Sequence, residues 1–405
     1  MKRILTILVL IFTFSTGKAD WIAQTVPTTN VVATIHFPNE NTGYAGCHGG
    51  VFLKTTNGGA QWTAISTGIT SSFAFSDTYF LNGNTGWAVT GNGVVIKTTN
   101  GGQNWSNQNP NNVGAISEIF FLNENTGWLS MSDGKCSKTT NGGTTWTAQN
   151  TGASFNLQNV WFTSENTGFI VGSSGDYFKT TNGGTNWVIY NNGNNGFMRG
   201  LFFTDQNTGW VTTSTYNLLK TTNAGINWQV VNTNSSNQSY DILFVDDYYG
   251  YACGAFGQML ATTDGGATWS PEITNVTGRF YELTNVGNKV WACGNNGMIL
   301  YNEVITGVGS NTGEIPAAYS LGQNYPNPFN PETKISFDIA GSKSSNVKLI
   351  VYNSLGEKAG ELVNQVLTPG SYSYTFKGAG LPSGVYYYKL ITDGFTETKK
   401  MLLVK

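Results

Sequence analysis

Between residues 20 and 305 one pattern of apolar and polar positions recurs. An apolar segment such as Glu118-Ile119-Phe120-Phe121-Leu122 leads into Asn-Thr-Gly-aromatic or a close variant. A short glycine turn, a second apolar segment and Thr-Thr-Asn-Gly-Gly-x-x-Trp, or a near copy, complete the unit. The apolar segments lack clean alternation, which predicts short strands buried on both faces. The closing tryptophans, Trp62, Trp105, Trp146, Trp187, Trp228 and Trp269, are 43, 41, 41, 41 and 41 residues apart. The mid-unit aromatics Tyr44, Trp87, Trp128, Phe169, Trp210, Tyr251 and Trp291 count one unit more than the tryptophans do. Trp21-Ile22-Ala23 is similar to Trp62-Thr63-Ala64 and lies 41 residues before it. The seventh unit, near Tyr281 to Glu303, is therefore expected to borrow its fourth strand from the N-terminus. Four short strands per period of about 41 residues is the periodicity of propeller blades. The predicted fold is all-β: a seven-bladed β-propeller over residues 20–305, closed by an N-terminal strand that removes the exposed sheet edge.

The pattern changes at both ends. Lys2-Arg3 precede an apolar run from Ile4 to Phe14, followed by Gly17-Lys18-Ala19. Residues 1–19 read as an export signal cut before Asp20, too short to span a membrane. No other stretch reads as a transmembrane segment. Residues 306–318, which include Thr306-Gly307-Val308-Gly309-Ser310, read as a flexible linker. Beyond it, prolines at Pro326, Pro328 and Pro331 impose an extended start. Alternating strands are then expected at Lys334–Ile339, Val347–Asn353, Ser371–Lys377 and Val385–Thr392, with a final strand after the Asp393-Gly394 turn. Residues 319–405 thus predict a small Ig-like β-sandwich.

Three resemblances follow from these motifs. Thr262-Thr263-Asp264-Gly265-Gly266-Ala267-Thr268-Trp269 resembles the Asp-box turn of sialidase-type propellers, with Asn57, Asn100, Asn141, Asn182 and Asn223 in place of Asp264 in the other copies. A side-chain oxygen at this position is expected to accept backbone N–H groups, while the glycines supply backbone shapes other residues avoid. Together with Asn-Thr-Gly-Trp and the glycine turn, the unit resembles the photosystem II stability and assembly factor propellers. The C-terminal domain resembles the type A sorting domain of the type IX secretion system. The matching residues are Tyr325-Pro326-Asn327-Pro328-Phe329-Asn330-Pro331, Val351-Tyr352-Asn353, Leu355-Gly356, Ser383-Gly384-Val385-Tyr386-Tyr387-Tyr388 and Lys400-Met401-Leu402-Leu403-Val404-Lys405. That resemblance implies handling by the type IX machinery through residues 319–405. It also implies passage through the periplasm and a final place in the medium or on the outer cell surface.

Charge narrows the function further. Residues 20–305 carry 7 Lys and 2 Arg against 16 acids, a balance of −7, whereas residues 306–405 carry 9 Lys against 7 acids. An acidic propeller is a poor match to a phosphate backbone, so nucleic acid is not an expected partner. After the signal only Arg199 and Arg279 remain, so the three-arginine carboxylate clamp of sialidases cannot be assembled. The two histidines, His36 and His48, form no catalytic or metal motif, and no cofactor or metal is expected. Four cysteines, Cys47, Cys136, Cys253 and Cys293, suit an exported chain. Cys253 and Cys293 hold the same position in neighbouring units; a bridge between them would brace the last blades, while buried thiols are the simpler reading. Lys54, Lys97, Lys138, Lys179 and Lys220 recur just before the box and are expected to be solvated strand ends.

One register position stands apart. The first strand of successive units places Thr34, Asp77, Glu118, Asn159, Gly200, Asp241 and Glu282 in one ring, with Arg199 beside it. These residues should surround one mouth of the central channel, on the face made by the variable, Asn-rich loops. Asp77, Glu118, Arg199, Asp241 and Glu282 are thus the candidate ligand rim. The sequence points to a secreted or surface scaffold without catalysis that binds a protein or glycan through that face. The alternative is a glycan-active hydrolase working through paired acids of the ring. The bland use of the ring is polar strand ends wetted by channel water.

Overall fold

The computed structural model describes residues 21–69, 73–108, 114–191, 196–304, 318–341, 345–367, 369–378 and 380–404. The export signal, most of the linker, and the loops at 109–112 and 192–195 fall outside the described residues. The protein has an all-β propeller fold followed by a β-rich C-terminal domain. Among the described residues, seven four-stranded antiparallel sheets lie between residues 22 and 303, and there is no α-helix.

The third sheet illustrates the unit: Ile116–Phe121, Gly127–Met131, Cys136–Thr139 and Thr147–Gln149 in simple meander order. Its second strand is buried along its whole length, as the absence of polar alternation requires. First strands of successive sheets lie side by side, and Val32–His36 lies beside both Phe75–Phe80 and Phe280–Val286. The seventh sheet contains Phe280–Val286, Lys289–Gly294 and Met298–Glu303. Its fourth strand is Ile22–Gln24, with Ile22 opposite Tyr301 and Gln24 opposite Ile299.

Aromatic clamps join the sheets. At six of the seven seams a phenylalanine at or just past the end of the first strand stacks on the mid-unit aromatic of the preceding sheet, as in Tyr44–Phe80 and Trp87–Phe121 at 3.6 Å and Trp128–Phe162 at 3.5 Å. The seventh sheet has Asn285 there, and Tyr251 meets Trp21 edge-on instead. The closing tryptophan of the phenylalanine's own sheet meets the same ring edge-on, as in Phe121–Trp146 at 6.0 Å. Each ring pair adds about 0.5–1.5 kcal/mol beyond the area it buries. The glycine of Asn-Thr-Gly lies against that ring, and a Cβ on Gly127 would stand 2.7 Å from the Phe121 ring. The motif therefore reads as a close-approach site and not only as a turn.

The box turns are built as the sequence predicts. Asn57 Oδ1 accepts the Thr55 hydroxyl at 2.9 Å and the Gln61 N–H at 2.9 Å, and the Thr55 hydroxyl oxygen accepts the Gly59 N–H. Asn100, Asn141, Asn182, Asn223 and Asp264 repeat the arrangement, and Gly58 and Gly59 take φ of 68° and 91°.

The recurrent lysines correct the expectation of solvated ends. Lys54 donates to the Gly101 carbonyl, Lys97 to Gly142, Lys138 to Gly183, Lys179 to Ala224 and Lys220 to Gly265, at 2.7–3.0 Å. Each ammonium reaches the box turn of the next sheet while lying over its own sheet's mid-unit ring, as Lys97 does over Trp87. The stem length of lysine and the orphan carbonyls of a tight turn together make an inter-sheet tie. At Gly58, the first box, no lysine serves; Gln24 Nε2 and Trp291 Nε1 donate instead, at 3.0 and 3.2 Å.

The disulfide reading is also corrected. Cys47, Cys136, Cys253 and Cys293 are free, buried thiols. Cys253 and Cys293 belong to different core clusters, where each fills a small apolar gap.

The C-terminal domain stacks two sheets. One holds Ser320–Leu321, Glu332–Ile339 and Gly370–Lys377; the other holds Lys358–Leu367, Ser345–Asn353, Gly384–Ile391 and Thr396–Leu403. Ile335, Phe337, Leu349, Val351, Tyr388 and Met401 fill the space between them. The strand Lys358–Leu367 is absent from the sequence expectation, because its polar start, Lys-Ala-Gly-Glu, hides the alternation. Among the described residues no helix is long and apolar enough to cross a membrane.

Candidate functional site: the channel and the loop-rich face

The first strands line a channel of about 680 Å³. A β-bulge precedes the ring position in six of the seven sheets, for example between Phe75 and Asp77 and between Ser239 and Asp241. The bulge turns the ring side chains toward the axis. Asp77, Glu118, Asn159, Asp241 and Glu282 all line the channel, as do Arg199 and Gly200. The structure thus brings the candidate rim residues together on one level, with Arg199 one residue nearer the mouth.

The acids have a structural duty that sequence could not reveal. Asp77 accepts the Ile119 N–H at 2.8 Å, Asp241 the Leu283 N–H at 2.8 Å and Glu282 the Ile35 N–H at 3.1 Å. In each case the donor belongs to the first strand of the following sheet. Asp77 also accepts the Thr34 hydroxyl at 3.2 Å and the Thr78 N–H at 2.7 Å. Glu118 instead takes a hydrogen bond from the side chain of Asn159. Among the described residues, no lysine or arginine forms an ion pair with any of the four acids.

Withdrawal from bulk water raises all four carboxyls, and repulsion from neighbouring acids adds to it for Glu118, Asp241 and Glu282. Asp77 is pushed up to about 6 and Asp241 to about 7, in both cases by burial first and against the hydrogen bonds they accept. Glu118 and Glu282 are held well above the usual carboxylate range by burial and then by the neighbouring acids.

Two residues deeper along the same strands lies a level that sequence reasoning missed. His36, Tyr79, Phe120, Trp161 and Phe202 form a belt of rings, successive centroids 5.0, 5.7, 5.4 and 5.2 Å apart. The same 41-residue step that revealed the acids passes through these positions, but an aromatic inside an apolar strand reads as core. Burial holds the His36 imidazole down at about 4, against a backbone hydrogen bond to Phe80.

The loop-rich face carries its own signal over the fifth to seventh sheets. The turns between second and third strands place a left-handed residue at Gly50, Gly93, Gly134, Gly175, Gly257 and Gly297. Tyr216 alone replaces glycine there, at φ 69°, and Phe256 precedes its glycine at φ 55°. A bulky residue in this region costs about 1–2 kcal/mol. Both rings are exposed, Phe256 by 74%, and Ile273 beside them by 75%. Arg199 lies over the Tyr240 ring at 4.5 Å and Arg279 at 5.9 Å, so both arginines gather at one ring of the channel wall in the fifth to seventh sheets.

Comparison with known proteins agrees with the fold. Residues 14–303 match the family described as "Photosynthesis system II assembly factor YCF48". The chain belongs to this family. Residues 323–405 match the "Secretion system C-terminal sorting domain", which marks the chain for type IX export to the cell surface or medium. No curated protein matches the chain. Among solved structures, "YCF48 bound to D1 peptide" is 22% identical, with a TM-score of 0.62 over 70% of this chain and 97% of that one. "YCF48 from Cyanidioschyzon merolae" is 21% identical, with a TM-score of 0.62 over 70% and 99%. The WD40 propeller domain of Doa1 aligns with a TM-score of 0.60 at 9% identity, over 70% and 96%. These likenesses are likenesses of fold.

The raised carboxyls fix the sign of a pH effect. Their folded pKa values exceed the unfolded ones, so their contribution to stability is full below pH about 4. It is lost as the pH rises through about 6 for Asp77 and about 7 for Asp241. The propeller should unfold at a lower temperature at pH 8 than at pH 5, and Asp241→Asn should narrow that gap. A gap of unchanged size in Asp241→Asn would contradict the assignment.

Proposed function

We propose that the chain is an exported, non-catalytic scaffold that holds a partner protein on the loop-rich face of its propeller. The observation that carries this reading is the patch over the fifth to seventh sheets, where Tyr216 and Phe256 present exposed rings from costly left-handed backbone. Local strain of this kind persists where the surrounding fold over-determines it, and it clusters at binding sites. Aromatic and arginine side chains are the residue types enriched at interface hot spots. A family member of known structure has been seen "bound to D1 peptide", which favours a peptide segment as the class of ligand over a glycan.

The scaffold reading includes its closure. The seven sheets form a seven-bladed ring in which Ile22–Gln24 completes the last blade, supported by the pairing with Met298–Glu303 and by Gln24 serving the first box. A closed ring leaves no free sheet edge and offers a stiff platform for loops. The acid ring is engaged in joining blades, which argues against its use as a hydrolytic pair. Export runs through the periplasm on the N-terminal signal and then through the outer membrane on residues 319–405.

Two measurements test this. In a host with the secretion system, deletion of residues 319–405 should leave the propeller inside the cell; normal yield in the medium would contradict the address. The mature protein should capture a partner protein from the cell surface, and a Phe256→Ser/Ile273→Ser double variant should lose it by about tenfold or more. Capture that is indifferent to this variant would sink the proposed face. Polysaccharide cleavage abolished by Glu118→Gln would instead establish the hydrolase.

A further inference from the structure

We propose that the propeller channel is a binding site for a primary alkylammonium, with the ammonium at the acid ring and its alkyl stem against the aromatic belt. The inference is independent of the loop-face reading. It rests on three features of one cavity.

The first is a set of acids without a cationic partner. Asp77, Glu118, Asp241 and Glu282 converge on one level of a channel of about 680 Å³. No ion pair within the described residues neutralises them, and Arg199 lies over Tyr240.

The second is an open hydrogen-bonding valence. Asn159 lines the channel on the same level and is only 9% exposed. Its side chain is bonded to Glu118, yet Oδ1 has no partner. The Ser76 hydroxyl, also on the channel wall, lacks a partner as well. A buried acceptor without a donor is costly, and a ligand N–H would recover that cost. An ammonium carries three donors and no acceptor, so it suits carboxylates and an amide oxygen together.

The third is the belt itself. Tyr79, Phe120, Trp161 and Phe202 lie two residues deeper, about 7 Å along the strands. Ring faces attract cations and also shelter a methylene stem. The belt is what favours an ammonium on an alkyl stem over a metal ion. A hydrated point charge would gain nothing from the belt. The chemistry is therefore that of a free amine or a lysine side chain.

The test titrates the full mature protein by calorimetry with three probes: cadaverine, the blocked tripeptide acetyl-Gly-Lys-Gly-amide, and neutral 1,5-pentanediol. Saturable binding of cadaverine alone assigns a small free amine, and binding of the tripeptide assigns a lysine. The diol should not bind. Glu118→Gln keeps side-chain shape and no backbone N–H depends on it, so it should leave the unfolding temperature near that of the parent. It should weaken binding about tenfold or more. Trp161→Leu should weaken it as well. Binding should release protons and strengthen from pH 5 to 8. Besides the four acids, the titratable and charged groups at the channel are His36, His48, Tyr79, Arg199, Tyr240 and Tyr281, with the thiols Cys253 and Cys293 behind the ring. A histidine can lose its charge over this range, so the trend is measured in His48→Gln as well, where it should persist; its disappearance there would assign the pH dependence to His48 and overturn the role of the acids. Silence of both amines, equal binding of the diol, or full affinity in Glu118→Gln would each overturn the proposal.

Discussion

The carbonyl of one box turn, met by a lysine ammonium from the preceding sheet, is the contact on which the rest of the propeller depends. A tight turn with two left-handed glycines cannot satisfy all its own carbonyls, and a four-stranded sheet buried on both faces cannot stand alone. The two deficits cancel where sheets meet. Lys97 and Trp87 both donate to Gly142, at 2.9 and 3.0 Å, and Lys138 and Trp128 both donate to Gly183. The stacked pair Trp87–Phe121 then buries the seam on its apolar side. Charge-assisted bonds of this type contribute about 1.5–3 kcal/mol each, so five of them are a large share of a domain's net stability.

This division of labour explains the two ends of the structure. The box end is spent on holding sheets together, so its residues recur almost without change. The opposite end is free to vary, and it bears the exposed rings and both arginines. Between them, three carboxyls of the acid ring take backbone N–H groups from the next sheet, and all four gather in a cavity walled by rings. Groups with raised pKa values in a cavity are a mark of function as often as of structure.

Much of this was legible in the sequence because the repeat is strict. The 41-residue step gave the sheets, the boxes, the borrowed strand Ile22–Gln24 and the acid ring. It did not give the role of Lys54 and its equivalents, because a lysine at a strand end looks solvated until the next sheet's carbonyl is seen beside it. Gln24 replacing the lysine was hidden for the same reason: its partner Gly58 is 34 residues away. The belt of Tyr79, Phe120, Trp161 and Phe202 was invisible because apolar strands conceal which face meets an axial cavity. Cys253 and Cys293 share a register yet sit in separate cores, since equivalent positions in neighbouring blades are related by the ring rotation and not by contact.

The central claim is that the sheets form one ring closed by residues 21–26, and thermal unfolding of two mature chains tests it most directly. One begins at residue 20 and the other at residue 31, which lacks Ile22–Gln24 and with it one of the two donors to Gly58. The account predicts that the shorter chain loses cooperativity and melts many degrees lower, since it exposes a sheet edge and removes one of the two donors to the Gly58 carbonyl. Superimposable transitions for the two chains would contradict it.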